Sequence, residues 1–140
     1  YYLKQFDLAR KYYQTALALN PLDYNTRYNL GELYLSSEGQ EARALEHFRA
    51  VLAVNPNHVE ANFKAGVICA ANGMIKEAVI HFEKAAEADQ DDVRILLQLA
   101  AGYENIGLDQ KALATYQSVL ALDALNRIAL QKVKLLQGVP

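Results

Sequence analysis

The chain has 140 residues, 52% of them apolar, enough to bury an ordinary domain core. Its 14 basic and 16 acidic side chains nearly cancel and make no phosphate-neutralising stripe, which argues against a nucleic-acid partner. No apolar run reaches the length of a membrane span, and the lone Cys69 makes no internal disulfide, so neither a bilayer nor an oxidising compartment is implied.

Residues 1–23 read as the second helix of a partial repeat, with Ala9, Tyr13 and Ala16 on one face and Pro21 beyond its end. The chain opens at Tyr1 with neither a methionine nor a signal peptide, and the repeat register places Tyr1 at the end of a first helix. The expectation is a piece of a longer protein, with Tyr1, Tyr2 and Phe6 at a stacking face that lacks its neighbour. From Asp23 onward, Arg27, Leu30, Gly31 and Tyr34 recur at i, i+3, i+4 and i+7, one face of an amphipathic helix. After the turn Ser36-Ser37-Glu38-Gly39, the residues Ala44, Phe48, Val51 and Leu52 mark a second helix. Asn55-Pro56-Asn57 ends it, and Asn57 with Glu60 reads as a capping box for the next helix.

The same pattern predicts helices over 59–72, 75–88, 93–106 and 109–122. A last helix over 126–137 is expected to cover the final pair with Ile128, Val133 and Leu136, keeping Arg127, Lys132 and Lys134 in water.

These helices keep one period. Ala9, Ala44, Ala78 and Ala112 are spaced by 35, 34 and 34 residues, and Tyr13, Phe48, Phe82 and Tyr116 keep step with them. Gly39, Gly73 and Gly107 form a further series, with one extra residue in the Ser36–Glu38 turn. Gly31, Gly66 and Ala100 are expected to face Ala44, Ala78 and Ala112 at the close approach of paired helices, with the aromatics filling the space between pairs. A period of about 34 residues marks an array of helix–turn–helix units, each leaving an apolar face until a neighbour stacks on it.

The motif Leu30-Gly31…Tyr34…Ala44…Phe48…Pro56 resembles the tetratricopeptide repeat (TPR) signature, and the resemblance covers essentially the whole chain. It implies an all-α, right-handed solenoid of antiparallel helix pairs. The divisions are a partial repeat at 1–23, repeats at 24–58, 59–92 and 93–126, and a capping helix and tail at 127–140. Arg27, Asn62 and Leu96 stand where the family favours tryptophan, Cys69 stands for a tyrosine, and Gln90 and Ala124 replace two prolines.

In such arrays the first helix of each pair lines the concave side and partners bind there as peptide segments. The resemblance therefore assigns partner binding to Asn25, Tyr28, Asn29 and Glu32, then Glu60, Phe63, Lys64 and Val67, then Arg94, Leu97, Gln98 and Ala101. Tyr28, Phe63 and Leu97 make an apolar stripe one repeat apart, beside the polar ladder Asn29, Lys64 and Gln98. That combination suits a peptide with spaced apolar side chains and a backbone to hydrogen-bond. The same stripe also fits repeat packing with its edges showing.

A subset of the family grips the acidic tail of heat-shock chaperones with lysine, arginine and asparagine. Asn29 and Lys64 match two of those residues, but Glu60 stands where a lysine is wanted and would repel a carboxylate. The asparagine ladder of the helical domain of some sugar-transferring enzymes is not expected either, since Asn29 alone keeps the asparagine.

His47 and His81 are expected on solvated outer faces without a converging metal set, and His58 in a turn. Asp89, Asp91 and Asp92 lack the glycine of a calcium loop and read as a turn and helix cap. Cys69 falls on a core position. No phosphate loop, nucleophile elbow or zinc-helix motif occurs, so no catalytic, cofactor-binding or metal-binding residue is assigned. The expected role is a protein-interaction scaffold. The alternatives are a self-stacking homo-oligomer or spacer, and a regulatory or substrate-docking arm of an enzyme whose catalytic domain lies elsewhere.

Overall fold

The computed structural model describes residues 2–140 and is helical, with short connections, throughout the described residues. The chain divides between Ala65 and Gly66 into two compact units. The first holds α1 (Tyr2–Leu19), α2 (Tyr24–Leu35), α3 (Glu41–Val54) and the first half of α4 (Val59–Ala71). The second holds the rest of α4, α5 (Ile75–Ala88), α6 (Val93–Asn105), α7 (Asp109–Leu122) and α8 (Arg127–Leu136). No described helix is long and apolar enough to cross a membrane.

Three of the expected helix starts are set by side-chain caps in register. Asp23 accepts from the N–H groups of Asn25 and Thr26, Asp92 from those of Arg94 and Ile95, and Asn126 from that of Ala129. At the equivalent place before α4 the cap is His58, whose Nδ1 accepts from the Ala61 N–H at 3.1 Å. The expected Asn57–Glu60 capping box is thereby corrected. With α4 beginning at Val59, residue 58 is the cap, and Glu60 sits one position too early to reach back to it.

Phe48 and Phe82 each pack against the first helix of their own pair. A Cβ added at Gly31 would lie 2.8 Å from Phe48 Cε1, and one at Gly66 would lie 2.6 Å from Phe82 Cε1. At Gly31 and Gly66 the groups nearest the missing side chain are therefore phenylalanine rings rather than the expected alanines. Phe48, Val51, Ala44 and Leu30 form the core of the first unit; Phe82, Ala85, Ile95, Tyr116 and Val119 form that of the second.

The family's tryptophan position shows how local context selects a residue. Arg27 donates from its guanidinium to the Pro21 carbonyl at 2.9 Å, and Asn62, fully buried, donates from Nδ2 to the Pro56 carbonyl at 2.9 Å. In each case the acceptor is the proline six residues upstream. Where Gln90 replaces that proline, the position holds the buried, apolar Leu96.

Two end regions depart from expectation. Tyr1 lies outside the described residues, but α1 runs unbroken from Tyr2, through the place where the other repeats turn at a glycine. Lys4 occupies that place, and a residue with a Cβ does not readily supply the left-handed cap that ends a helix there. In α8 the buried residue is Ala129, whereas Ile128 is exposed. The cap at Asn126 fixes the helix phase, so Ala129, Val133 and Leu136 lie on the less exposed side. Lys132 also departs from the expected outward orientation, since its Nζ reaches Glu104 at 3.0 Å.

Candidate functional site

The twelve residues assigned to partner binding all keep contact with solvent, while their helix neighbours are buried. In the first unit, Asn25 and Asn29 are exposed on α2, and Tyr28 and Glu32 are half-buried. Leu30, Gly31 and Tyr34 form the buried side of the same helix. On α4, Glu60, Phe63 and Lys64 are half-buried beside the buried Ala61, Asn62 and Ala65.

Tyr28 serves packing and surface together. Its ring stacks on His58 at 5.1 Å between centroids and leans on Phe48 at 5.6 Å, while Tyr24 meets His58 edge-on at 6.1 Å. The imidazole that caps α4 thus also holds two tyrosines of α2. The turn histidine expected at position 58 is a tie between helices, and its ring-nitrogen geometry was not legible from spacing. These contacts restrain the Tyr28 ring at the edge of the core. Lys64 Nζ lies 3.5 Å from Glu32 Oε1, a partly exposed ion pair worth at most about 1 kcal/mol.

In the second unit the assigned residues are Val67, Arg94, Leu97, Gln98 and Ala101. Val67, Arg94 and Gln98 are exposed, and Leu97 and Ala101 are half-buried. Arg94 is not freely available, because its guanidinium bonds the capping carboxylate of Asp92 at 2.7 and 3.2 Å. That hydrogen bond, outweighing burial, holds the Asp92 carboxyl below its usual range. Ile95, Leu96, Leu99 and Ala100 form the buried side of α6.

Other polar groups converge without any pairing signal in the spacing of residues. The Tyr116 hydroxyl donates to Glu104 Oε1 at 2.6 Å, and Lys132 Nζ donates to Glu104 Oε2 at 3.1 Å. The Tyr103 hydroxyl donates to Glu83 Oε1 at 2.6 Å. Burial, then these hydrogen bonds to carboxylates, push both phenols well above their usual range. For Glu104, burial alone would raise the carboxyl, but the bonds from Tyr116 and Lys132 outweigh it and hold the group below its usual value.

Neither of the two paired histidine positions is the solvated site expected. His47 is half-buried and stacks on Tyr34 at 5.3 Å and 5° between planes; burial, then the nearby Arg27, lowers its pKa. His81 is half-buried beside Cys69 and Glu77.

Comparison with known proteins places the chain. Residues 2–123 match the family model of the cilia and flagella-associated protein 70 middle TPR-like domain. Superkiller complex protein 3 of Homo sapiens is 33% identical over 91% of this chain and 8% of its own length. The peroxisomal targeting signal receptor of Kluyveromyces lactis is 28% identical over 90% of this chain and 23% of its own. The chain therefore spans less than a quarter of the length of these curated relatives. Among solved structures, MamA superposes with a TM-score of 0.83 at 20% identity, covering 95% of this chain and 77% of that one. The Arabidopsis OM64 TPR domain superposes with 0.71 at 16% identity, over 82% and 94%. These likenesses give the fold as an all-α solenoid of TPR helix pairs. With most of its length matched by the family model, the chain belongs to the TPR-like family of the cilia and flagella-associated protein 70 middle domain.

Proposed function

We propose that this chain is a protein-interaction scaffold that holds a peptide segment of a partner on its first-helix faces, and that its role is binding rather than catalysis. The observation that carries this reading is the exposure pattern: Tyr28, Phe63 and Leu97 keep apolar surface open to solvent at one register position of three successive first helices. Beside them Asn29, Lys64 and Gln98 offer donors to a peptide backbone. Two relatives point to the same class by name, one a receptor for a targeting signal and the other a component of a complex.

The test is an affinity capture from native extract, with the wild-type chain beside a Tyr28→Ala, Phe63→Ala, Leu97→Asp variant of confirmed helicity. A partner retained by wild type and lost by the variant supports the reading. Identical captures overturn it.

A second reading, self-association, rests on a separate surface. Helix α1 contains no fully buried residue and exposes Leu8, Tyr12 and Leu19 around a 400 Å³ hollow shared with Lys11, Thr15 and Ala16. If this surface pairs two copies, sedimentation mass rises with concentration for wild type and stays monomeric for Leu8→Lys/Tyr12→Lys. A monomer at all concentrations rejects it.

A further inference from the structure

The corner joining α4 to α5 differs in chemistry from the same corner elsewhere in the chain. Between α2 and α3, Arg43 lies over the Tyr34 ring at 5.7 Å, and between α6 and α7, Lys111 lies over the Tyr103 ring at 5.4 Å. In register with these pairs, the middle corner has Cys69 for the tyrosine and Glu77 for the cation. Both partners change together, from a cation over an aromatic ring to a thiol beside a carboxylate. His81 adds an imidazole from the position that His47 and Thr115 hold in the other repeats.

Local backbone structure brings the three together. Gly73, with φ 78°, reverses the chain, and the Met74 N–H donates back to the Cys69 carbonyl at 2.9 Å, closing α4 three residues before α5 begins. On α5, Glu77 and His81 are one turn apart and share a face, with His81 Nε2 3.8 Å from Glu77 Oε1. One ligand atom from each of Cys69, Glu77 and His81 lies within 4.8 Å of the other two, the one such group found among the described residues. In a tetrahedral zinc site, bonds of about 2.0–2.3 Å separate neighbouring ligand atoms by about 3.3–3.8 Å. Closing the observed set to that size takes about an ångström of side-chain adjustment. Cys69 is buried, and the His81 and Glu77 side chains are 13% and 40% exposed, so the set has a dry floor and a rim open to solvent.

We propose that Cys69, Glu77 and His81 bind a borderline divalent metal ion of the Zn²⁺ class, clipping α4 to α5. One sulfur, one nitrogen and one oxygen ligand suit Zn²⁺ and disfavour Mg²⁺ and Ca²⁺, which take oxygen ligands. On binding, the Cys69 thiol gives up its proton to solvent as the metal–sulfur bond forms, and the imidazole coordinates in its neutral form. Water completes the fourth position at the Glu77 rim. The inference is independent of the peptide-binding role.

The test is Zn²⁺ titration of the metal-stripped, reduced full chain by competition with a chromophoric chelator, alongside Co²⁺ substitution. One equivalent of Zn²⁺ binds, and the melting temperature rises with added Zn²⁺. Cys69→Ser, His81→Gln and Glu77→Gln each weaken binding by at least the roughly 10–100-fold that loss of a mere outer-shell partner costs. The Co²⁺ form shows a thiolate-to-cobalt charge-transfer band that Cys69→Ser abolishes and His47→Gln leaves intact. Should Cys69→Ser lose helicity, the wild-type Co²⁺ spectrum and the rim variant Glu77→Gln decide the matter. No stoichiometric uptake, a Co²⁺ spectrum without the thiolate band, or a Glu77→Gln variant that binds as tightly as wild type overturns the proposal.

Discussion

Tyr34 and Tyr103 hold the same place in two repeats, yet they are fixed by different physics. Tyr34 sits in a cluster of rings, edge-on to Phe6 at 5.9 Å, stacked on His47 and covered by Arg43. Tyr103 keeps its covering cation, Lys111, but its hydroxyl is committed to Glu83 at 2.6 Å. The buried aromatics behind them diverge in the same way. Phe48 closes the first unit by contact alone, whereas Tyr116 closes the second with a hydroxyl bonded to Glu104. The repeat signature therefore specifies a volume at each position. The neighbours that happen to surround it decide whether that volume is held by stacking or by hydrogen bonds.

The largest effects should fall on the shared property. Phe48→Ala and Tyr116→Ala each remove a fully buried ring, and each is expected to cost about 3–5 kcal/mol in denaturant unfolding. A large difference between the two would show that volume is not the common term.

Removing hydroxyls separates the units. Tyr116→Phe leaves a carboxylate short of one donor and should cost roughly 1.5 kcal/mol, near the lower figure for a bond to a charged group because Glu104 keeps some water and Lys132. Tyr34→Phe, which keeps the whole ring cluster, should stay within about 0.5 kcal/mol. Equal losses at both positions would break the comparison.

Titration sharpens it further. The raised phenols of Tyr103 and Tyr116 contribute stability that is complete below the ordinary tyrosine value of 10.0 and is lost as pH rises above it, since the unfolded chain then ionises first. Tyr103→Phe/Tyr116→Phe should remove that part of the alkaline loss. His47 works in the opposite direction. With its folded value depressed below 6.5, its contribution is present above that pH and is lost as pH falls through the folded value. Acid should therefore loosen the Tyr34 stack, a loss that His47→Gln should reduce in melts between neutral and acid pH. At the partly exposed pair Glu32–Lys64, Lys64→Met should cost at most about 1 kcal/mol, less in high salt.

Much of the fold was legible in the sequence because a period of about 34 residues carries both helix phase and pair spacing. The helices lie where that period puts them. The link between α2 and α3 has five residues where the other pairs have three: one is the extra residue before Gly39, and the other comes from α2 ending one register position early. Periodicity names the face on which a side chain sits, but not the atom it meets across a turn. Hence the expected capping box gave way to His58, the glycines turned out to oppose phenylalanines, and Glu104 gathered Tyr116 and Lys132 unannounced. The Cys69–Glu77–His81 corner had a signal that was readable in register. Two positions depart from the tyrosine–cation pair at once, although each looks minor when taken alone.

The binding role is tested most directly by placing a photo-crosslinking benzoylphenylalanine at Asn29 and Gln98, both exposed on first helices, and at Lys84, exposed on the second helix α5. Crosslinks in native extract should join one and the same partner to positions 29 and 98 and none to position 84. Equal adducts from position 84, or none from the first-helix positions, would contradict the account.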